Sequence, residues 1–215
     1  MASAGPGIPD SLIPKVTDYV RTYMSNYDGS HDFNHIKRVV HLAKIIQSTE
    51  SSPENPTDVS VVTLSALLHD VGDKKYLREG ENPETMVREV LLRFGADEEL
   101  GDRVQAICLG VSYSSEVKDP ERVKRLIAIY PELAIVQDAD RLDAIGAVGI
   151  GRTFAFGGAK GRTLGDTLDH FDEKLLLLEG MMKTETGRKL AKERAERLRT
   201  FASWWEDETK SVSDI

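Results

Sequence analysis

Residues 59–75, VSVVTLSALLHDVGDKK, place an adjacent His69-Asp70 pair at the end of an apolar helical stretch. A second histidine, His35, precedes this stretch, and Asp140 follows it inside VQDADRLD. These four side chains supply two imidazoles and two carboxylates, a donor set that suits a divalent transition metal. A metal held there would activate water and neutralise phosphate charge at once. The pattern therefore favours hydrolysis of a small phosphorylated molecule.

The composition indicates one globular domain that works on small molecules. The chain has 215 residues, of which 40% are hydrophobic and 30% are charged, as is usual for soluble globular proteins. A formal net charge of −8 repels nucleic-acid polymers and anionic membrane surfaces. No stretch approaches the roughly 20 apolar residues that a membrane-spanning helix needs. We expect a small phosphorylated substrate as partner, and neither nucleic acid nor membrane.

The single cysteine and the first residues bear on the compartment. Cys108 has no second cysteine to pair with, which favours a reducing environment. Within RVQAICLGV its helical spacing predicts a small buried side chain and not a nucleophile. The N-terminal MASAGPGIPD lacks the basic and apolar regions of a signal peptide. We expect a cytoplasmic protein, with access to the nucleus left open.

Apolar residues recur at helical spacing along nearly the whole chain. With no strand-like alternation, this pattern predicts an all-α fold, a single-domain helical bundle. We expect the domain to cover residues 11–206, between a flexible N-terminus (1–10) and a flexible tail (207–215). Two helices are expected over 11–24 and 33–47, and a third from Asp58 or Thr57 to about His69. Three more are expected to start at Asn82-Pro83, Asp97 and Asp119-Pro120, and another to follow Pro131. The last two are expected over 164–178 and 185–205.

A glycine-rich run, GAVGIGRTFAFGGAKGRTLGD, covers residues 146–166. Its glycines predict a long loop. Loops of this length between packed helices are usually functional, so we expect it to lie at or over the site. Arg152, Lys160 and Arg162 lie within it and could complement phosphate. The glycine spacing matches neither the P-loop nor the dinucleotide fingerprint. The run therefore predicts cationic loop contacts without a nucleotide motif.

Together, HDFNHIKRV, LLHDVGDKK and VQDADRLDAIG resemble the HD superfamily of metal-dependent phosphohydrolases. The ordered signature His, His-Asp, Asp falls on His35, His69, Asp70 and Asp140, and the resemblance extends from about His31 to the final helix. It is strongest to short, single-domain HD hydrolases, some of which are similar to bacterial nucleotide pyrophosphohydrolases. The resemblance implies an HD-type helical bundle with one divalent metal on these four residues. Manganese is expected first, and magnesium, cobalt, nickel, zinc and ferrous iron also suit the ligands.

The interval between Asp70 and Asp140 contains no histidine. Binuclear members of the superfamily, including its oxygenases, take additional histidines from this interval, so the resemblance implies the single-metal hydrolytic branch. Its closest relatives suggest that a nucleoside triphosphate becomes a monophosphate and pyrophosphate, or that a phosphomonoester is cleaved. A non-catalytic sensor module that binds a nucleotide or a metal is the alternative function. An oxygenase is a weaker third reading.

Two residues after the His-Asp pair are candidate catalytic groups. Asp73 follows Asp70 by about one turn, so its carboxylate could accept or deliver a proton, and a plain loop aspartate is the competing interpretation. Lys74, beside Lys75, could help to hold phosphate, although paired lysines are usually solvated.

Six further residues are candidate substrate contacts. Arg38 follows His35 by one turn and could bind phosphate through two guanidinium nitrogens. Several of the other candidates could have a structural role instead. Arg141 and Asp143 could each contact substrate or support the ligands, or could form structural salt bridges instead. His170 and Lys174 could face the site from its far side or border a packing face. A homodimer is left open, since Trp204 and Trp205 would pack onto the core or a second chain. The predicted substrate contacts are Arg38, His31, Arg141, Arg152, His170 and Lys174.

Overall fold

The computed structural model describes residues 8–25, 27–54, 56–74 and 77–210. Within these ranges the chain forms helices and no β-strand, so the all-α prediction is confirmed. None of these helices has the length and apolarity of a membrane span. The α-helices are α1 Leu12–Tyr23, α2 Phe33–Glu50, α3 Val59–Leu68, α4 Met86–Arg93, α5 Glu98–Val111, α6 Tyr113–Lys118, α7 Pro120–Ile129, α8 Glu132–Asp143, α9 Gly146–Ala159, α10 Leu164–His170 and α11 Glu185–Thr209.

Helix α3 lies at the centre of the fold. Its side chains from Val61 to Leu68 are all buried, and it packs against α1, α2, α5 and α8. A helix that is apolar on every side can only be stable inside a protein. The same hydrophobic run that predicted a helix before the His-Asp pair therefore holds the end of that helix inside the core.

Aspartate side chains start several of these helices. Asp58, Asp97 and Asp119 each accept backbone N–H groups at the predicted starts of α3, α5 and α7, and Asp32 does the same for α2. These contacts satisfy donors that a helix cannot pair within itself. Three predicted helix starts are thus confirmed.

The predicted helix start at Asn82-Pro83 is wrong, because α4 begins at Met86. The Asn82 side chain accepts the N–H of Glu84 at 3.0 Å, which closes a local turn before the helix. Gly72, in the turn that follows α3, has a φ of 84°, which lies in the left-handed region that favours glycine.

The prediction of a loop over residues 146–166 is also wrong, because most of that run forms α9. Its glycines allow close packing. A Cβ atom at Gly157 would collide with the side chain of Thr167 on α10. One turn earlier on α9, Phe154 contacts the rings of Phe171, Phe201 and Trp205. These contacts on neighbouring turns hold the glycine-rich segment as a helix.

The C-terminal elements differ from the predicted limits. The helix expected over 164–178 is split into α10, a π-helical turn over Phe171–Leu175 and a 3-10 segment over Leu176–Met181. Helix α11 continues to Thr209, so residues 207–209 of the predicted tail are helical. Residues 211–215 of that tail, and 1–7 of the predicted flexible N-terminus, lie outside the described residues.

Candidate metal centre

Four predicted ligands arrive from three helices that pack together. His35 lies in the first turn of α2, His69 and Asp70 follow directly after α3, and Asp140 lies near the end of α8. Helix α2 packs against both α3 and α8. The contact of these helices brings side chains that are far apart in sequence to one place.

The ligand atoms of these residues nearly touch. His35 Nε2 lies 3.2 Å from His69 Nε2, 3.3 Å from Asp70 Oδ2 and 3.6 Å from Asp140 Oδ1. His69 Nε2 lies 3.5 Å from Asp70 Oδ1 and 3.6 Å from Asp140 Oδ1. One atom each from His35, His69 and Asp140 falls within 4.8 Å of the others, and the Asp70 carboxylate adjoins both imidazoles. One ion would have donors on several sides.

Hydrogen bonds on the far side of each ring set its orientation. His35 Nδ1 donates to Asp143 Oδ2 at 2.7 Å, and His69 Nδ1 donates to the carbonyl oxygen of Ala66 at 2.9 Å. A carboxylate and a carbonyl can only accept, so both Nδ1 atoms carry hydrogen. Both Nε2 atoms consequently face the cluster, as metal-binding histidines usually do.

The centre of the cluster requires a positive charge. With hydrogen on Nδ1, the His35 ring turns Nε2 towards Asp70 and Asp140. Asp70 Oδ2 is buried and receives no hydrogen bond from any described residue. Acceptors that face one another out of contact with water need a proton or a cation between them. This unpaired oxygen and the mixed nitrogen and oxygen donors fit a divalent metal.

The charges of the cluster shift its titration strongly. Burial lowers the pKa of His69, but the carboxylates of Asp70 and Asp140 raise it further, and the pKa rises to about 9. Burial raises the pKa of Asp70, yet the nearby imidazoles hold it well below its ordinary value. The pKa of Asp140 is lowered in the same way, mainly by His69 against the effect of burial. Without a metal, a proton on His69 supplies the missing positive charge.

Asp143 connects this cluster to two arginines. Its side chain is 1% exposed and, besides His35, it accepts Arg38 Nε at 2.7 Å and Nη2 at 3.0 Å and Arg152 Nη1 at 3.1 Å. Burial opposes ionisation, but the bonds from His35 and Arg38 together with the charge of Arg152 lower the pKa of Asp143 to about 2. Asp143 therefore supports a predicted ligand and also forms ion pairs, so it combines the two roles that the sequence predicts as alternatives.

Three predicted substrate contacts lie beside the ligands. Arg38 is about one third exposed although two of its nitrogens contact Asp143. Arg152 also donates from Nε to the carbonyl oxygen of Ser30 at 2.6 Å. The His31 ring lies 6.1 Å from the His35 ring and 5.9 Å from that of Phe156, between centroids. These residues form one side of the cluster.

The two predicted catalytic residues follow the His-Asp pair at the surface. Asp73 is partly exposed, and its N–H donates to the carbonyl oxygen of Asp70 at 3.2 Å. Lys74 is exposed, and Lys75 lies outside the described residues. The turn keeps Asp73 next to a ligand, while Lys74 can reach outward.

Arg141 requires a correction. It was predicted to contact substrate, but it is 2% exposed. Its guanidinium donates to Glu116 at 2.5 Å and to the carbonyl oxygen of Met181 at 3.0 Å. Adjacent helical residues point about 100° apart, so Arg141 faces away from Asp140. It joins α8 to α6 and to the segment before α11 and cannot reach a substrate.

His170 and Lys174 follow α9, at the end of α10 and in the π-helical turn after it. His170 ends α10 and lies 3.5 Å from Glu173, and Lys174 lies over the ring of Tyr113 at 5.0 Å. The chain changes to a π-helical turn after His170, so the two residues do not share one α-helix, and their contact with substrate stays a prediction.

Phe156 was not predicted as a site residue. It lies two ring contacts from His35, through His31, and Lys160 Nζ and Arg162 Cζ lie 5.5 Å and 5.9 Å from its centroid. An aromatic residue within a glycine-rich run carries no sequence signal for such a position. The two cations beside it are residues that the sequence predicts as phosphate contacts.

Comparison with known proteins agrees with this geometry. A family model described as the HD domain matches residues 32–145. The chain is 39% identical over 184 residues to the uncharacterized protein YpgQ of Bacillus subtilis, covering 84% of this chain and 85% of YpgQ. A crystal structure of B. subtilis YpgQ in complex with ADP superposes with a TM-score of 0.73 at 35% identity, covering 92% of this chain and 95% of that one. An HD-superfamily hydrolase from Bacillus thuringiensis gives a TM-score of 0.68 at 30% identity, over 92% and 96% of the two chains.

Proposed function

Because the chain belongs to the HD domain family, we propose that it is a metal-dependent phosphohydrolase that acts on a small phosphorylated substrate. One observation carries the proposal. Two imidazole nitrogens converge with two carboxylates, and a buried Asp70 oxygen there has no hydrogen-bond donor among the described residues. Buried acids in this state are stable when they bind a cation.

His35, His69, Asp70 and Asp140 would hold one divalent metal. When bound, such an ion supplies an acidified water and neutralises phosphate charge. Two nitrogen and two carboxylate donors suit manganese, which we propose first, and also the other first-row divalent ions. The Asp140 side chain is 26% exposed, against 1% for His35, so substrate would enter from the Asp140 side.

Asp73 is the proposed proton acceptor. Its turn keeps it beside Asp70, and partial exposure leaves it open to water. The oxygen of water forms a bond to phosphorus while the bond from phosphorus to the leaving oxygen breaks. The leaving oxygen keeps that electron pair, and Asp73 takes the proton that water loses. The proton then passes to the leaving oxygen or to solvent.

Cations around the cluster would bind the phosphates. Arg38 keeps Nη1 for substrate, because its other guanidinium nitrogens contact Asp143, and Lys74 is exposed nearby. Lys160 and Arg162 contact the Phe156 ring and form no ion pair within the described part of the chain. Their charge would attract an anion to a chain that is acidic as a whole.

The proposed substrate is a nucleotide. B. subtilis YpgQ has been crystallised in complex with ADP, and it shares 39% identity with most of this chain. We propose first the conversion of a nucleoside triphosphate to a monophosphate and pyrophosphate. Hydrolysis of a phosphomonoester is the second form of the proposal.

The test is product release from a nucleotide panel by protein loaded with each divalent metal in turn. We expect pyrophosphate from triphosphates, or phosphate from monophosphates, with wild type. His41→Gln is the matched control, since His41 is exposed on α2, and it should retain activity, whereas His69→Gln should lose it. Thermal stabilisation by nucleotide with no product would overturn the proposal in favour of a sensor module.

A further inference from the structure

The buried Asp143 carboxylate next to His35 is paired with two arginines, whereas an ion pair needs only one. Asp143 accepts one hydrogen bond from His35, two from Arg38 and one from Arg152, at 2.7 to 3.1 Å. Burying an ionised carboxylate is costly unless such partners compensate it. Both arginines come from other helices, α2 and α9, so Asp143 joins three helices at the back of one ligand.

We propose that Asp143 is a positioning residue that holds His35 in the form able to bind metal. The inference rests on the proposed function. A neutral imidazole carries its hydrogen on either nitrogen. The Asp143 carboxylate stabilises hydrogen on Nδ1, which leaves the Nε2 lone pair directed at His69, Asp70 and Asp140.

Arg38 and Arg152 keep Asp143 in place. Arg38 contacts both carboxylate oxygens, which fixes the plane of the carboxylate. Arg152 reaches from α9 to Asp143 and also donates to the carbonyl oxygen of Ser30. It thereby ties the turn before α2 to the residue that orients His35. Arg152 is 13% exposed, and its predicted contact with substrate stays a separate prediction.

The positions of the donors predict how two substitutions differ. Asp143 Oδ2 accepts His35, Arg38 and Arg152, whereas Oδ1 accepts Arg38 alone. In Asp143→Asn, an amide oxygen at the Oδ2 position keeps three of these bonds, and the amide nitrogen opposes only one donor. The asparagine therefore retains the His35 hydrogen bond but loses the charge. Asp143→Ala loses both.

The test combines metal affinity with the protonation pattern of His35. Loss of such an outer partner typically weakens metal binding about 10–100-fold. We expect a loss of this size in Mn²⁺ affinity for Asp143→Ala and a smaller loss for Asp143→Asn. The matched control is Glu116→Gln, which removes a mostly buried carboxylate that is paired with Arg141 and Lys183 and not with His35. It should lower stability without changing Mn²⁺ affinity.

The second readout is ¹⁵N NMR of His35 in metal-free protein. Wild type, Asp143→Asn and Glu116→Gln should carry hydrogen on Nδ1, while Asp143→Ala should show mixed forms. Since no metal is present, this result is separate from the proposed function, which fails if wild type binds no metal or forms no product. The positioning role of Asp143 would be overturned if Asp143→Ala kept hydrogen on His35 Nδ1 as wild type does. It would also be overturned if Asp143→Ala and Glu116→Gln lost Mn²⁺ affinity equally. If the alanine variant does not fold, Asp143→Asn with wild-type Mn²⁺ affinity would do the same.

Discussion

Binding of a divalent metal should expel one proton from His69 at neutral pH. In the metal-free protein, His69 Nδ1 donates to Ala66, and Nε2 lies near His35 Nε2 and two carboxylates. Burial works against a charged ring, but Asp70 and Asp140 raise the pKa of His69 to about 9. The Nε2 hydrogen occupies the position that the metal needs, so binding must remove it.

The size of this effect follows from the pKa. At pH 7, with a pKa of about 9, His69 is almost fully protonated, and close to one proton leaves per ion bound. Between pH 6 and 8 the apparent metal affinity should rise about tenfold per pH unit. Relative to the affinity above pH 9, the competing proton costs about 100-fold at pH 7, or about 3 kcal/mol.

Calorimetric titration with Mn²⁺ in buffers of different ionisation enthalpy counts the released protons. An unperturbed histidine, with a pKa of 6.5, would release only about 0.2 proton at pH 7. His41→Gln serves as the control, because this exposed histidine should not alter the count. A release near 0.2, or an affinity that is flat from pH 7 to 8, would refute the electrostatic description of His69.

Three further predictions concern stability. Asp138→Ala should lower the free energy of unfolding in urea by about 3 kcal/mol, because buried Asp138 accepts two backbone N–H groups and a hydroxyl at the start of α11. A loss below 1 kcal/mol would contradict this. Gly187→Ala should destabilise the protein, since the added Cβ would overlap Asp138 and Thr184. Gly158 has open space around it, so Gly158→Ala should raise the free energy of unfolding by about 1 kcal/mol. Equal effects of the two substitutions in thermal melts would count against this packing. The pKa of Asp143 is about 2 in the folded protein and 3.8 in the unfolded chain. Its ionised form therefore stabilises the metal-free fold above about pH 4. About 2 kcal/mol of the free energy of unfolding is lost as the pH falls through 2. The stability difference between wild type and Asp143→Asn should shrink accordingly from pH 5 to 2, and a constant difference would disprove the shift.

The sequence predicted the helices best where local signals agree with packing. The buried run before His69 and the caps at Asp97 and Asp119 depend on residues close together in the chain. For α9 the local signal is misleading, since Gly157 has low helix propensity but allows contact with Thr167. That partner cannot be identified before the fold is known. Tertiary packing here outweighs propensity.

Within the site, helix geometry separates the residues that sequence could assign from those that it could not. Asp143 follows Asp140 by three positions and shares its face, while Arg141 is turned about 100° away. This rule predicts their different environments, although it does not identify Arg38 and Arg152 as the partners of Asp143. The contact between Phe156 and His31 depends on how α9 crosses the start of α2, which no local pattern specifies.

We expect one cation to bind where three helices bring two imidazoles and two carboxylates together. Anomalous diffraction at the manganese absorption edge, from crystals grown with Mn²⁺, locates such an ion directly. A single strong peak should appear between His35, His69, Asp70 and Asp140, with His35 Nδ1 still hydrogen-bonded to Asp143. Manganese at another position, or no peak beside these four residues, would contradict it.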